Sequence, residues 1–210
     1  MLPLTRELSS LALAWFARAG VTPALTGAGA VLAGLEAAWA FSIGTARGDF
    51  VGALSWLLAC LLFDISRMQI AAGAAHWRFT PATTCACAGI TYTLLFLSLG
   101  FGAVGAGAGT FVWYAAVAAG FGCAVTTIVE FSRNIRGALT VPGYLPQHIT
   151  FSQTSRPWDW WLNVIRTDLG FVLMLAAGLD LVWLFLLVAA ITAQLYWIRL
   201  PWRFAFARKL

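Results

Sequence analysis

Of the 210 residues, 61% are hydrophobic and only 10% charged, and the mean hydropathy is +0.83. Soluble domains carry roughly 25% charged residues, so this composition excludes a water-facing globule. The length leaves room for at most about seven spans of ~20 residues and for no separate soluble domain. In a bilayer core, backbone N–H and C=O groups must pair internally, which leaves helices or closed barrels. The apolar runs exceed about 18 residues and lack strand alternation, so the expected fold is an all-α integral membrane protein.

The first 20 residues do not read as a cleaved signal, because Arg6, Glu7 and Arg18 interrupt and flank the apolar run. Leu8, Leu11, Ala12, Trp15 and Phe16 fall at helical spacing and predict a short amphipathic helix lying in the membrane interface. Six spans follow, over residues 22–45, 49–75, 83–104, 109–131, 159–179 and 180–200. Span one opens on Thr22-Pro23, a capping residue before a proline in the first turn. The links are 46–48 around Arg47, 76–82, the Gly/Ala stretch 105–108, the proline-bearing loop 132–158 and a tight turn near Gly178–Asp180.

Charge orients this layout. Arg6, Arg18, His76, Arg78, Arg133, Arg136, Arg156, Arg199, Arg203, Arg208 and Lys209 fall in the N-terminus, the second and fourth links and the C-terminus. In a six-span chain those regions share one side, whereas the links opposite carry only Arg47. Positive loops stay cytoplasmic, so both termini are expected inside a bacterial-type inner membrane. The net charge of +5 is therefore spread along head-group level rather than gathered as a nucleic-acid patch. Trp158, Trp160, Trp161, Trp197 and Trp202 fall at the same depth, as interfacial anchors do. Cys60, Cys85, Cys87 and Cys123 lie within or beside apolar runs and read as buried small hydrophobes.

Polar residues inside a span cost free energy, roughly 2.5–3.5 kcal/mol for a central charge on insertion scales, and so mark sites. Span two gathers Asp64, Ser66, Arg67 and Gln69, with His76 and Arg78 just beyond. Asp64 and Arg67 are three apart, on one helix face, within pairing distance. Glu36, alone in span one, is expected to face the bundle interior. Glu130 and Asp159 lie near span ends and are expected to pair with Arg133 or Arg156.

The stretch from Leu57 to Gly89 resembles the CDP-alcohol phosphotransferase family, whose motif reads D-x-x-D-G-x-x-A-R, eight residues, then G-x-x-x-D-x-x-x-D. Laid over this chain without gaps, the motif's four aspartates fall on Asp64, Arg67, Cys85 and Gly89, its glycines on Met68 and Pro81, and its Ala-Arg on Ala71-Ala72. Thr22-Pro23-Ala24-Leu25-Thr26 is similar to the family's Thr-Pro-Asn-x-x-Thr opening of span one. Leu57 to Phe63 looks like its leucine-rich approach to the first aspartate, and Thr93 to Leu97 like the stretch after the last. Arg166-Thr167-Asp168-Leu169 and Gln194-Leu195-Tyr196-Trp197 are similar to the last two spans of some members. The resemblance implies a six-helix membrane core with a cytoplasm-facing site between spans two and three. There, four carboxylates hold two magnesium ions on a CDP-alcohol diphosphate, and the last aspartate is the proposed base on the acceptor hydroxyl.

Three of the four carboxylates are absent here. Magnesium needs near-octahedral oxygen donors, usually one or two carboxylates plus phosphate, and Gly89 cannot accept a proton. The expectation is a family relative with a degenerate site that binds membrane lipids or serves as a partner subunit, with no cofactor. Asp64, Arg67 and Arg166 are its candidate ligand-binding residues, and either a homo-oligomer or a different membrane protein is its expected partner. Two alternatives stand beside it. One is an active phosphotransferase that keeps Mg2+ and recruits Glu36, Glu130, Asp159 or Asp168, with His76 or His148 as base. The other is a small accessory subunit of a larger membrane complex.

Overall fold

The computed structural model describes residues 4–73, 80–140 and 169–207, and every regular element among them is a helix. These are α1 (Leu4–Arg18), α2 (Pro23–Ser42), α3 (Ala46–Ala71), α4 (Thr80–Gly105), α5 (Thr110–Thr140), α6 (Leu169–Gly178) and α7 (Val182–Ala207). Four of them, α2 to α5, are long and apolar enough to cross a membrane. The expected start of the fifth span, with Asp159, Arg166, Asp168, His148 and Arg156, lies outside the described residues, as do His76 and Arg78.

Helix starts follow local chemistry. Thr22 caps α2, its hydroxyl accepting from the Leu25 N–H at 3.3 Å, and Pro23 fills a first-turn position where no amide donor is needed. Thr45 caps α3 in the same way, accepting from Gly48 N at 3.1 Å. This cap moves the start of α3 ahead of the expected 46–48 link, so Arg47 sits in its first turn and the link shrinks to residues 43–45. Gly44 (φ 66) closes that link in a conformation that favours glycine, and a Cβ there would collide with the Gly102 backbone of α4. A Cβ at Gly102 would in turn meet the Phe41 carbonyl, so the Gly/Ala run brings α4 close against α2. The expected turn near Gly178–Asp180 is present, with Asp180 in the left-handed region (φ 57). Helix α5 outruns its expected end at 131, carrying Arg133 and Arg136 on to Thr140. Its 31 residues measure about 46 Å, longer than a ~30 Å hydrocarbon core.

The helices close into a ring. α2 packs on α3 and α4, α4 on α5, α5 on α7, α7 on α6, and α6 back on α3, while α1 lies outside against α3. Ser9 of α1 is fully buried there and donates to the Leu61 carbonyl at 3.3 Å, while Leu8, Leu11 and Trp15 face outward. One half of the ring is filled by Phe41, Trp56, Leu95, Leu99, Val112 and Leu173, with the Trp56 and Tyr92 rings edge-to-face at 4.7 Å.

Polar side chains fasten α2 to α3. Ser66 donates to the Pro23 carbonyl at 2.9 Å, Gln69 Nε2 to the Val21 carbonyl at 2.8 Å, and Thr26 Oγ1 to Gln69 Oε1 at 3.0 Å. Ser66, Gln69 and Thr26 are all buried. The two carbonyls belong to the first turn and approach of α2. A polar group buried without a partner costs about 1–3 kcal/mol, so this clamp fixes how α2 enters the bundle. Replacing Gln69 by Leu strips the side-chain donor from Val21. The expected loss is about 1–2 kcal/mol of unfolding free energy, measured by SDS titration in mixed micelles. An unchanged midpoint would mean that the clamp carries no stability.

Candidate functional site

Between α3, α4, α5, α6 and α7 lies a cavity of about 170 Å³. It occupies the half of the bundle where α3 ends and α4 begins, the same end that carries Arg133 and Arg136. Three helices line it by one rule. Cys60, Phe63, Asp64 and Arg67 on α3, Cys85, Ala88, Gly89 and Tyr92 on α4, and Cys123, Thr126, Thr127 and Glu130 on α5 each follow i, i+3, i+4, i+7 spacing. That spacing places four side chains along one stripe of an α-helix. Leu169 of α6 and Ala189, Thr192 and Ala193 of α7 complete the wall.

All four positions that the family motif gives to aspartate, namely Asp64, Arg67, Cys85 and Gly89, therefore face one space. The polar cluster of α3, by contrast, divides. Residues 64 and 66 are about 200° apart around the axis, so Asp64 and Arg67 face the cavity while Ser66 and Gln69 face α2. Asp64 and Arg67 pair at 3.6 Å, with side chains still a quarter to a third exposed (25% and 33%). An exposed pair of this kind contributes modestly to stability, but it neutralises both charges locally.

The third position is a thiol facing a carboxylate. Cys85 Sγ lies 3.8 Å from Glu130 Oε2 and donates to it. Glu130, expected to be an arginine partner near a span end, is thus a member of the cavity wall. The fourth position is closed by shape. A Cβ added at Gly89 would collide with the Thr127 side chain, whose hydroxyl donates to the Cys123 carbonyl at 2.8 Å and is thereby held in place. Thr127 occupies the space that a fourth aspartate would need. Deeper in, Cys60 Sγ and Tyr92 Oη lie 3.8 Å apart, and Phe96 stacks on Phe185 at 6.2 Å. The floor is accordingly apolar.

Among the described lining residues, two carboxylates stand against one guanidinium. No group of three or more His, Cys, Asp or Glu side chains with metal-holding geometry occurs among the described residues. The donor set does not fit a two-magnesium centre: Asp64 is paired with Arg67, Cys85 offers a soft ligand, and Gly89 offers none.

Two expectations change. Glu36 does not face the interior: it is exposed on the outer side of α2 and does not approach the cavity. The four free cysteines are not all buried, since Cys60 is buried, Cys85 and Cys123 are half-buried at the cavity wall, and Cys87 is exposed. Thr126 and Thr127 went unrecognised as site residues, although their spacing with Cys123 and Glu130 was visible as a polar stripe in an apolar helix. Comparison of the chain with protein-family models, curated proteins and solved structures finds no match in any of the three.

The Gly89–Thr127 contact makes a defined prediction. Gly89→Ala should cost about 1–3 kcal/mol through overpacking, and Thr127→Gly should restore most of that loss in the double variant. A double-mutant cycle on unfolding free energies measures it, with an expected coupling of about 1 kcal/mol or more. Strict additivity would mean that the two residues do not touch.

Proposed function

We infer that this chain is a CDP-alcohol phosphotransferase-like membrane protein that no longer performs the family's metal chemistry and holds a lipid in the former active-site cavity. The reading includes six spans preceded by an interfacial helix, both termini in the cytoplasm, and a place in phospholipid metabolism as a lipid-binding or partner subunit. The observation that carries it is the convergence of Asp64, Arg67, Cys85 and Gly89 on one cavity, with a single carboxylate left among them.

The physical case is electrostatic. In the family's reaction, divalent metal neutralises the diphosphate of the leaving nucleotide and orients attack. Without it, a CDP-lipid diphosphate would approach Asp64 and Glu130, with only Arg67 among the described lining residues to offset them. A phospholipid carrying one phosphate and an ammonium matches this lining better. Its phosphate takes the Arg67 guanidinium, an arginine strength, its ammonium faces a carboxylate, and its chain runs along the apolar floor of Phe63, Tyr92 and Phe96. Thr127, packed against Gly89, leaves no room there for a base on an acceptor hydroxyl.

One observation favours the active alternative. Glu130 brings a second carboxylate to the cavity wall from a helix that the family motif does not use. A single magnesium between Asp64 and Glu130 would require Asp64 to leave Arg67.

The test is titration of the protein in nanodiscs with CDP-diacylglycerol, with and without magnesium, following binding and CMP release together. The expected result is no CMP release and no tightening of binding by magnesium. CMP release would overturn the degenerate-site reading in favour of the Glu130 alternative. Failure of an ammonium-bearing phospholipid, titrated in the same way, to bind would move the chain to the accessory-subunit reading.

A further inference from the structure

The cavity has a wall of acceptors. Its described lining includes three threonines, Thr126 and Thr127 on α5 and Thr192 on α7. Each donates its hydroxyl proton to a carbonyl one turn back in its own helix: Thr126 to Gly122, Thr127 to Cys123 and Thr192 to Val188, all at 2.8 Å. A hydroxyl whose proton is committed in this way presents only lone pairs to whatever enters the cavity. Glu130, one turn beyond Thr126 and Thr127 on the same stripe, accepts from the Cys85 thiol at one oxygen and keeps further lone pairs as a carboxylate. Across the cavity on α3 stands Arg67, whose guanidinium has N–H donors and no acceptor.

Donor and acceptors stand at one level. Helix α4 gives the scale, because its Tyr92 lies against Cys60 of α3 and its Cys85 against Glu130 of α5. Arg67 is seven residues after Cys60, and Cys85 is seven before Tyr92 on a helix of opposite direction. Both therefore lie about 10 Å from the Cys60–Tyr92 pair, toward the same end of the bundle. Arg67 and Glu130 share the cavity mouth, and the rings of Tyr92 and Phe96 lie deeper.

We propose that the α5 wall is a binding site for a primary ammonium, and that the lipid held in the cavity carries such a group beside its phosphate. The proposal rests on the lipid-holding reading above and names the chemical class of the lipid. A primary ammonium is all donor and no acceptor, the complement of the Glu130 carboxylate and the lone pairs of Thr126 and Thr127. The phosphate, all acceptor, turns to Arg67 at the same level, where a guanidinium fork matches its oxygens. Other head groups leave part of this wall unmatched. A trimethylammonium has no N–H to give, and quaternary cations are recognised by aromatic faces, whereas Tyr92 and Phe96 belong to the floor. A head group with hydroxyls alone brings no positive charge to a described lining of two carboxylates and one guanidinium.

The test counts N–H donors. The full-length protein, delipidated in detergent, is reloaded with phosphatidylethanolamine, its mono- and dimethyl forms, phosphatidylcholine or phosphatidylglycerol, all with the same acyl chains, and native mass spectrometry reads retention. Affinity should fall with each methyl added, by about tenfold or more from the first member to the choline lipid, because a site built to hydrogen-bond rejects an analogue that lacks the donor. Glu130→Gln, which keeps an acceptor for Cys85, should cost the ethanolamine lipid about tenfold and the choline lipid less. Thr126→Val, which removes the lone pairs at nearly constant shape, should narrow the methylation series, and an unchanged melting midpoint controls for folding in both variants. A flat methylation series, or a glycerol lipid retained as well as the ethanolamine lipid, overturns the proposal while leaving the lipid-holding reading intact. Retention of none of them overturns both. Displacement of the ethanolamine lipid by an equal concentration of glycerophosphoethanolamine would assign the wall to a water-soluble amine and overturn the lipid as its source.

Discussion

Helix α3 carries Ser66 and Gln69 on one side and Asp64 and Arg67 on the other, in surroundings that offer little water to bond any of them. The rest of the structure depends on how those four groups are satisfied. Their spacing sends the two pairs roughly 200° apart around the helix, so one pair ties α3 to α2 while the other faces the cavity. Ser66 and Gln69 take carbonyls at the start of α2, and Asp64 and Arg67 satisfy each other at the cavity. The first pairing sets the angle and register of the α2–α3 hairpin. The second leaves a neutralised, partly exposed ion pair at the mouth of an otherwise apolar space. If α3 rotated by one residue, Ser66 and Gln69 would lose their carbonyl partners at the start of α2, and this fixes the face that α3 presents to α4 and α5.

The cavity in turn is shaped by small residues. Gly89 lets Thr127 of α5 approach α4, and Gly122 admits Ala193 of α7. Gly170, against the Leu57 backbone, brings α6 onto α3. Gln194 closes the ring from the other side, donating to the Ala118 carbonyl at 2.7 Å. Between lipid-solvated helices there is little hydrophobic drive, so close backbone approach and interhelical hydrogen bonds hold such a bundle together. The same contacts bear on chemistry. The Thr127 side chain that packs α5 on α4 also fills the position of a fourth acid. Building a four-carboxylate donor set at these positions would therefore require repacking two helices as well as replacing three residues.

The sequence made the helical, membrane-embedded character legible because composition and run length are set by the bilayer alone. It also made the start of α2 legible at Thr22-Pro23, where the expected cap is present. The Asp64–Arg67 pair was legible because three-residue spacing on a helix is local information. Glu36 was not: a lone acid in a span shows where it is along the helix, but its face is decided by which neighbours claim the other sides. Glu130 was assigned to a span end because α5 was expected to stop at 131. The helix runs on to Thr140, which leaves Glu130 well inside it and on the cavity stripe. The division of the α3 cluster into two roles was present in the residue numbers, but only the positions of α2 and α5 say which face serves which neighbour.

The central claim is that this cavity holds a lipid, and native mass spectrometry of the purified protein addresses it most directly. The parent should carry one tightly retained phospholipid. Cys123→Phe, which fills the space from the α5 wall, should lose it while folding normally. A parent that retains no lipid, or a Cys123→Phe variant that retains it as well as the parent, would contradict the account.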